Sequence, residues 1–268
     1  MLHRPGRLHE PGATGNRPEK SRCGLRRGKA GRGLHERRLT RGADKICTGP
    51  LLPGRRRLCR RAGQCTETGI RGDHRAGFIL QIDAPDLGSA RHNQYQHLSD
   101  GEFLRIAERN IAALNQATAS IPPQAMRMHL CWGNYEGPHT HDIPLAKILD
   151  VCMRARPAGL SFEAANPRHA HEWEDLRGAK IPDDKILIPG VIDSTTNFVE
   201  HPRLVAQRIC QFADIVGRER VIAGADCGFA TFAFVNNAVA PSVVWAKLAA
   251  LAEGARIATS RLWGRAPR

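Results

Sequence analysis

From residue 77 onward, short apolar runs alternate with longer stretches in which apolar residues recur every three or four positions. Five runs predict β-strands, at residues 78–82, 126–130, 159–162, 186–188 and 221–224; each is too short for a helix and rich in Ile, Leu, Val, Met or Phe. A helical stretch is predicted after each. The first opens on Ser99 with Glu102 three positions later, a capping-box pattern, and sets Phe103, Ile106, Ile111 and Leu114 at helical spacing. The second starts near Pro144 and carries Leu145, Ile148, Leu149 and Cys152; a short third begins near Pro167. The fourth runs from Pro202 to about Val216 before Gly217, and the fifth from Ser242 to about Leu262 before Gly264. Proline at the start and glycine past the end are the expected punctuation of helices.

Strand followed by helix, repeated five times, implies a parallel sheet with right-handed crossovers. No glycine-rich phosphate loop follows any of the strands, which argues against a nucleotide-binding open sheet. Residues with reactive side chains follow them instead, as in a β/α barrel whose active site is built at the C-terminal strand ends. The expected fold is therefore an α/β, TIM-type (β/α)8 barrel, incomplete here, with about its last five βα units. Two outer strands would then lack partners, so low stability and weak activity are expected of this chain.

Charge divides the chain in two. Residues 1–75 hold 20 Lys and Arg against 6 Asp and Glu, which accounts for the whole formal net charge of +14; residues 76–268 hold 20 of each. The first segment has 13 of the 26 glycines and no Phe, Trp, Tyr or Val, so it cannot bury a core and is expected to be disordered and to add nothing to the barrel. Three readings of it stay open: a basic nucleic-acid arm, a transit peptide, or the out-of-frame translation of a GC-rich coding region. The arm lacks aromatic residues for base stacking, which disfavours nucleic acid as a partner, and the glycines fit an amphipathic transit helix badly. Residues 76–268 are read as the barrel domain. No apolar run is long enough to span a bilayer and no secretory signal is present, so a cytoplasmic protein without a membrane partner is expected. The eight cysteines are too scattered for a disulfide framework and read as reduced thiols.

The strand ends carry the chemistry. Asp83 follows the first, His129 and Cys131 stand at the end of the second, Glu163 ends the third, Asp193 follows the fourth, and Asp226 and Cys227 follow the fifth. His129 and Cys131 are two residues apart, so an extended backbone points both to one side. If the second, third and fifth strands converge, an imidazole, two thiolates and a carboxylate form a tetrahedral zinc set. Each residue alone has a plainer reading, Cys as core filler and Glu163 as a helix cap or ion-pair partner. His139 and His141 are expected to be surface loop residues or to touch a substrate, and His169 and His171 to be solvated.

The ordered motifs Met128-His129-Leu130-Cys131-Trp132-Gly133-Asn134, Phe162-Glu163-Ala164-Ala165-Asn166-Pro167-Arg168, Pro189-Gly190-Val191-Ile192-Asp193 and Ala225-Asp226-Cys227-Gly228 resemble the catalytic domain of cobalamin-independent methionine synthases, and more closely their short single-domain relatives. The resemblance runs from about Gly77 to Arg265. It implies a barrel of the type shared with uroporphyrinogen decarboxylases, zinc held by His129, Cys131, Glu163 and Cys227, and an S-methyltransferase reaction on a homocysteine-like thiol. Gln81-Ile82-Asp83-Ala84-Pro85 is similar to the segment whose Asp holds the amino group of homocysteine, with Ala84 where the synthases have Glu. Val191-Ile192-Asp193-Ser194-Thr195 is similar to a segment ending in the His that serves the folate donor, and Thr195 stands in its place. Asp193 is the catalytic residue the resemblance implies. The expected partners are a small thiol and a methyl donor, folate or corrinoid, with transfer to another thiol, or an inactive truncated product, as alternatives.

Overall fold

A computed structural model describes the backbone of residues 34–37 and the whole of residues 77–230 and 238–264. The first strand, β1, is Leu34–Arg37. It is followed by β2 (Ile79–Ala84), the short helix α1 (Ser89–Asn93), α2 (Asp100–Ala117), β3 (Met126–Leu130), α3 (Leu145–Met153), β4 (Gly159–Phe162), α4 (Trp173–Arg177), β5 (Ile186–Ile192), α5 (Pro202–Val216), β6 (Gly224–Ala225) and α6 (Pro241–Trp263). The strands pair in chain order and every pairing is parallel. Sequential parallel order with intervening helices is the barrel topology, here an arc in which β2–β6 form five curled units.

β1 corrects one expectation. Residues 1–75 are expected to add nothing to the sheet, yet Leu34–Arg37 pairs with residues 79–82 of β2. Its ladder is made by backbone groups, and the open edge of β2 accepts any short extended segment whatever its side chains. The remaining expectations for residues 1–75 lie outside the described residues.

Elsewhere the apolar pattern matches the elements closely, and the differences have local causes. β5 extends to Ile192 through Pro189 and Gly190, because its residues from Leu187 on are buried and read as one apolar run. The last strand lies at Gly224–Ala225 and not at 221–224; only Val221 bridges Leu187 before a register shift in β5. α4 begins at Trp173, well past Pro167, and α1 has no counterpart in the sequence reading. Ser99 does cap α2, receiving the Glu102 N–H while Glu102 Oε2 accepts from the Ser99 N–H at 2.9 Å.

All residues of β4 are buried, as expected for a parallel strand covered on both faces. The main core joins Phe103, Ile111, Met128, Leu130, Trp132, Ile148, Phe162 and Phe212 between the sheet and α2, α3 and α5. A second cluster, with Val191, Val205 and Ile209, packs α5 against α6. The two helices approach so closely that a Cβ on Gly254 would lie 2.4 Å from Val205, so only glycine fits there. Among the described residues no helix is long and apolar enough to cross a membrane.

Candidate metal centre

Strand register builds the site. Asp83, His129 and Ser161 are partners in one row across β2, β3 and β4. Alternation brings Cys131 and Glu163, two residues on from His129 and Ser161 and just past the ends of β3 and β4, to the same face one layer further on. Cys227 arrives from the far side, two residues past β6. Side-chain donor atoms of His129, Cys131 and Cys227 all lie within 4.8 Å of one another, the one such group found among the described residues.

Their geometry suits a metal. The two sulfurs are 3.9 Å apart, and two thiolates bound at about 2.3 Å to a tetrahedral zinc would sit about 3.8 Å apart. His129 Nδ1 is 3.2 Å from Ser161 Oγ, which orients the ring, while its buried Nε2 makes no hydrogen bond among the described residues. A histidine held at one nitrogen with the other left open is the usual arrangement of a metal ligand. The sulfur contact lowers the Cys227 thiol and raises that of Cys131, and His129 adds to the lowering at Cys227. Burial works against charge on His129, but the Cys227 sulfur outweighs it and raises the imidazole. By contrast, Cys152, buried away from the site, is pushed up to about 12 by burial. All four described cysteines are free.

Glu163 lies beside this group without joining it. Its Oε1 accepts the Trp132 N–H at 3.0 Å and its Oε2 accepts from Asn166 Nδ2 at 2.9 Å, with Arg168 Nη2 3.5 Å away. Burial pushes its carboxyl up to about 7. Three of the four residues expected to bind zinc are thus brought together, and the fourth is turned toward backbone and amide partners.

Asp193 is buried at the end of β5. Burial would raise its carboxyl, but hydrogen bonds from Thr196 (2.6 Å) and from the N–H and hydroxyl of Thr195 (3.0 and 2.9 Å) hold it below the usual range. Its own N–H donates to Glu200 Oε1, whose carboxylate is paired with the fully buried Lys247 of α6 at 2.9 Å. Asn134 ties the mouth together, accepting from Ser194 Oγ at 2.8 Å and donating to Gly228 O.

The sequence assigns no role to Asp226, and its surroundings supply one. Its carboxylate accepts the N–H groups of Ala164, Ala165 and Asn166 and the Asn166 amide, all at 2.8–2.9 Å, so it fastens the loop after Glu163 to the residue next to Cys227. Gly190 makes this reach possible: a Cβ there would meet Asp226 Oδ1 at 2.0 Å.

Two histidine expectations are corrected. His169 is buried, with Nδ1 2.8 Å from Glu172 Oε2, Nε2 3.6 Å from Asp142 Oδ2 and its ring against Trp132. The His139 side chain is also buried, 2.9 Å from Asp142 and stacked on Tyr135. Polar residues enter a core when partners meet them, and these partners come from separate loops that local spacing cannot reveal. His141 and His171 are exposed, as expected.

The His169 network has a pH signature. Burial lowers its imidazole, but Asp142 and Glu172 outweigh burial and raise it to about 9. A folded value above the unfolded one, about 6.5, means the contribution is complete below that pH and is lost as pH climbs through about 9. Melting temperature should therefore fall across this window, and thermal denaturation of His169→Gln should show a flatter slope there. Identical slopes would remove the network from the stability of the protein.

Neither a family model nor a curated protein sequence matches the chain. Among solved structures it is similar to the B12-independent methionine synthase from Shewanella sp. W3-18-1, solved in complex with selenomethionine, with a TM-score of 0.58 and 19% identity. The likeness covers 79% of this chain and 57% of that one, so the chain spans little more than half of the enzyme it resembles, and what the two demonstrably share is the fold.

Proposed function

We propose that this chain is a zinc-dependent S-methyltransferase related to the B12-independent methionine synthases, acting on a small thiol of the homocysteine kind. The observation that carries the reading is the convergence of His129, Cys131 and Cys227 from two separate strand ends, with donor atoms within 4.8 Å. The donor set, one imidazole and two thiols, is a zinc set. Bound zinc would supply one thing, a substrate thiol held as thiolate at neutral pH.

The chain's own residues do the rest. Ser161 engages His129 at Nδ1 and leaves the buried Nε2 without a hydrogen bond among the described residues, open to a metal. Glu163, with hydrogen-bond partners of its own in Trp132 and Asn166, is the nearby carboxylate that would complete a fourth position only loosely and so leave it open to a substrate sulfur. Asp83, one strand over from His129 in the same row, is assigned to the substrate ammonium. Asp193, kept ionised by Thr195 and Thr196, is assigned to the methyl-donor side. Selenomethionine, the compound in complex with the similar enzyme, is an amino acid with a methylated chalcogen, which fits this substrate class.

A second reading concerns the donor. Thr195 stands where the resemblance expects the histidine that serves folate, and its hydroxyl is engaged as a donor to Asp193. That favours a methyl donor needing no protonation from this position, such as a corrinoid. The test is to incubate the zinc-loaded chain with homocysteine and either methylfolate or methylcobalamin. S-methyl product that disappears on chelation is expected; no product from either donor, with zinc bound, would overturn the reading.

A further inference from the structure

We infer that Arg168 is the anion subsite of this cleft and binds the carboxylate of the thiol substrate. The inference rests on the metal reading above and adds to it the residue that selects, among small thiols, those that carry a carboxylate.

The guanidinium stands at the rim of the cluster, 3.5 Å from Glu163 Oε2, with a quarter of the side chain exposed. It is held in place from behind. Asn166 Oδ1 accepts both the Arg168 backbone N–H at 3.1 Å and its Nε at 3.3 Å. Asn166 in turn donates to the buried carboxylates of Glu163 and Asp226, which fixes the amide that fixes the arginine. An arginine whose stem is fixed this way loses little entropy when it takes a ligand.

Its donors are not used up. Among the described residues only Nε of the guanidinium makes a hydrogen bond; Nη2 forms a long ion pair with Glu163 Oε2 at 3.5 Å, so the two terminal nitrogens keep donor capacity. A pre-set fork with two open nitrogens matches a carboxylate in bidentate fashion. The charge balance supports an anion as well. Asp83 lies on β2, one row below Glu163 and two strands away from β4, so the strand ends around the cluster offer a carboxylate on β2 and a guanidinium after β4. That is the complement of a thiol amino acid. Arg168 also serves as a counter-charge for Glu163, and the long 3.5 Å approach leaves it able to take a second anion.

The experiment uses the full chain loaded with Co2+, whose thiolate absorption reports sulfur binding without any methyl donor. 3-Mercaptopropionate, which carries the carboxylate, is titrated beside neutral 2-mercaptoethanol. The wild-type protein should bind the carboxylate thiol more tightly. Arg168→Gln should weaken it about tenfold or more, the value of a lost charged hydrogen bond, and leave mercaptoethanol and cobalt stoichiometry unchanged. Arg168→Lys, a smaller change that guards against misfolding, should recover part of the preference. Equal binding of the two thiols by wild type, or a preference that survives Arg168→Gln, overturns the subsite alone. Absence of any thiol absorption in wild type overturns the metal reading together with it.

Discussion

Cys131→Ser and Cys227→Ser should each reduce bound zinc from one per chain to near none. The two sulfurs, 3.9 Å apart, are two of the three side-chain donors that converge here. A hydroxyl does not ionise near neutral pH and binds zinc far more weakly than a thiolate. Losing one thiolate also leaves the His129 imidazole and the remaining sulfur without a shared cation, so the effect exceeds one bond. Glu163→Gln should behave differently, weakening zinc without abolishing it, because Trp132 and Asn166 already satisfy that carboxylate. Metal analysis of the purified variants after dialysis decides the matter. Full zinc in both cysteine variants would show that these residues do not form the site.

The second large effect is expected at Asp226. Asp226→Ala should destabilise the protein by about 3–5 kcal/mol, because it strands several buried donors that each cost about 1–3 kcal/mol when left unsatisfied. Its carboxylate accepts four hydrogen bonds from the loop after β4, and solvent hardly reaches the site, Asp226 being 2% exposed. Three backbone N–H groups would be left buried and unsatisfied. For a folded region of this size the loss corresponds to a melting-temperature drop of about 6–20 °C. Zinc affinity should fall with it, since the same carboxylate fixes the residue next to Cys227 and the loop after Glu163. Gly190→Ala should reproduce both effects, because the added methyl takes the space of the Asp226 carboxylate. A melting temperature within a degree or two of wild type for Asp226→Ala would refute the role.

Much of this was legible in the sequence. The strands at 126–130 and 159–162 and the helix from Pro202 to Val216 follow from apolar periodicity and punctuation, both local properties of the chain. The nearness of His129, Cys131 and Cys227 was also within reach, because parallel strands that repeat with helices must bring their C-terminal ends together. Less legible were the elements with weak local signals. α1 spans five residues, and β6 only two, held by a ladder to β5 that no side-chain pattern announces. β1 arises in a segment whose composition argues against any strand, since backbone pairing to β2 does not depend on side-chain chemistry.

What the chain determines by itself is therefore the order of strands and helices and the side of each strand that carries reactive groups, since both follow from short-range spacing. Tertiary structure alone decides which of those groups meet. It engages Glu163 with Trp132 and Asn166, buries His139 and His169 around Asp142, and threads the Asp226 carboxylate past Gly190 to the loop at 164–166. Each of these outcomes depends on distances of a few ångströms, most of them between residues some 30 to 60 positions apart. Register and loop packing set such distances, and neither is encoded in the periodicity of any one segment.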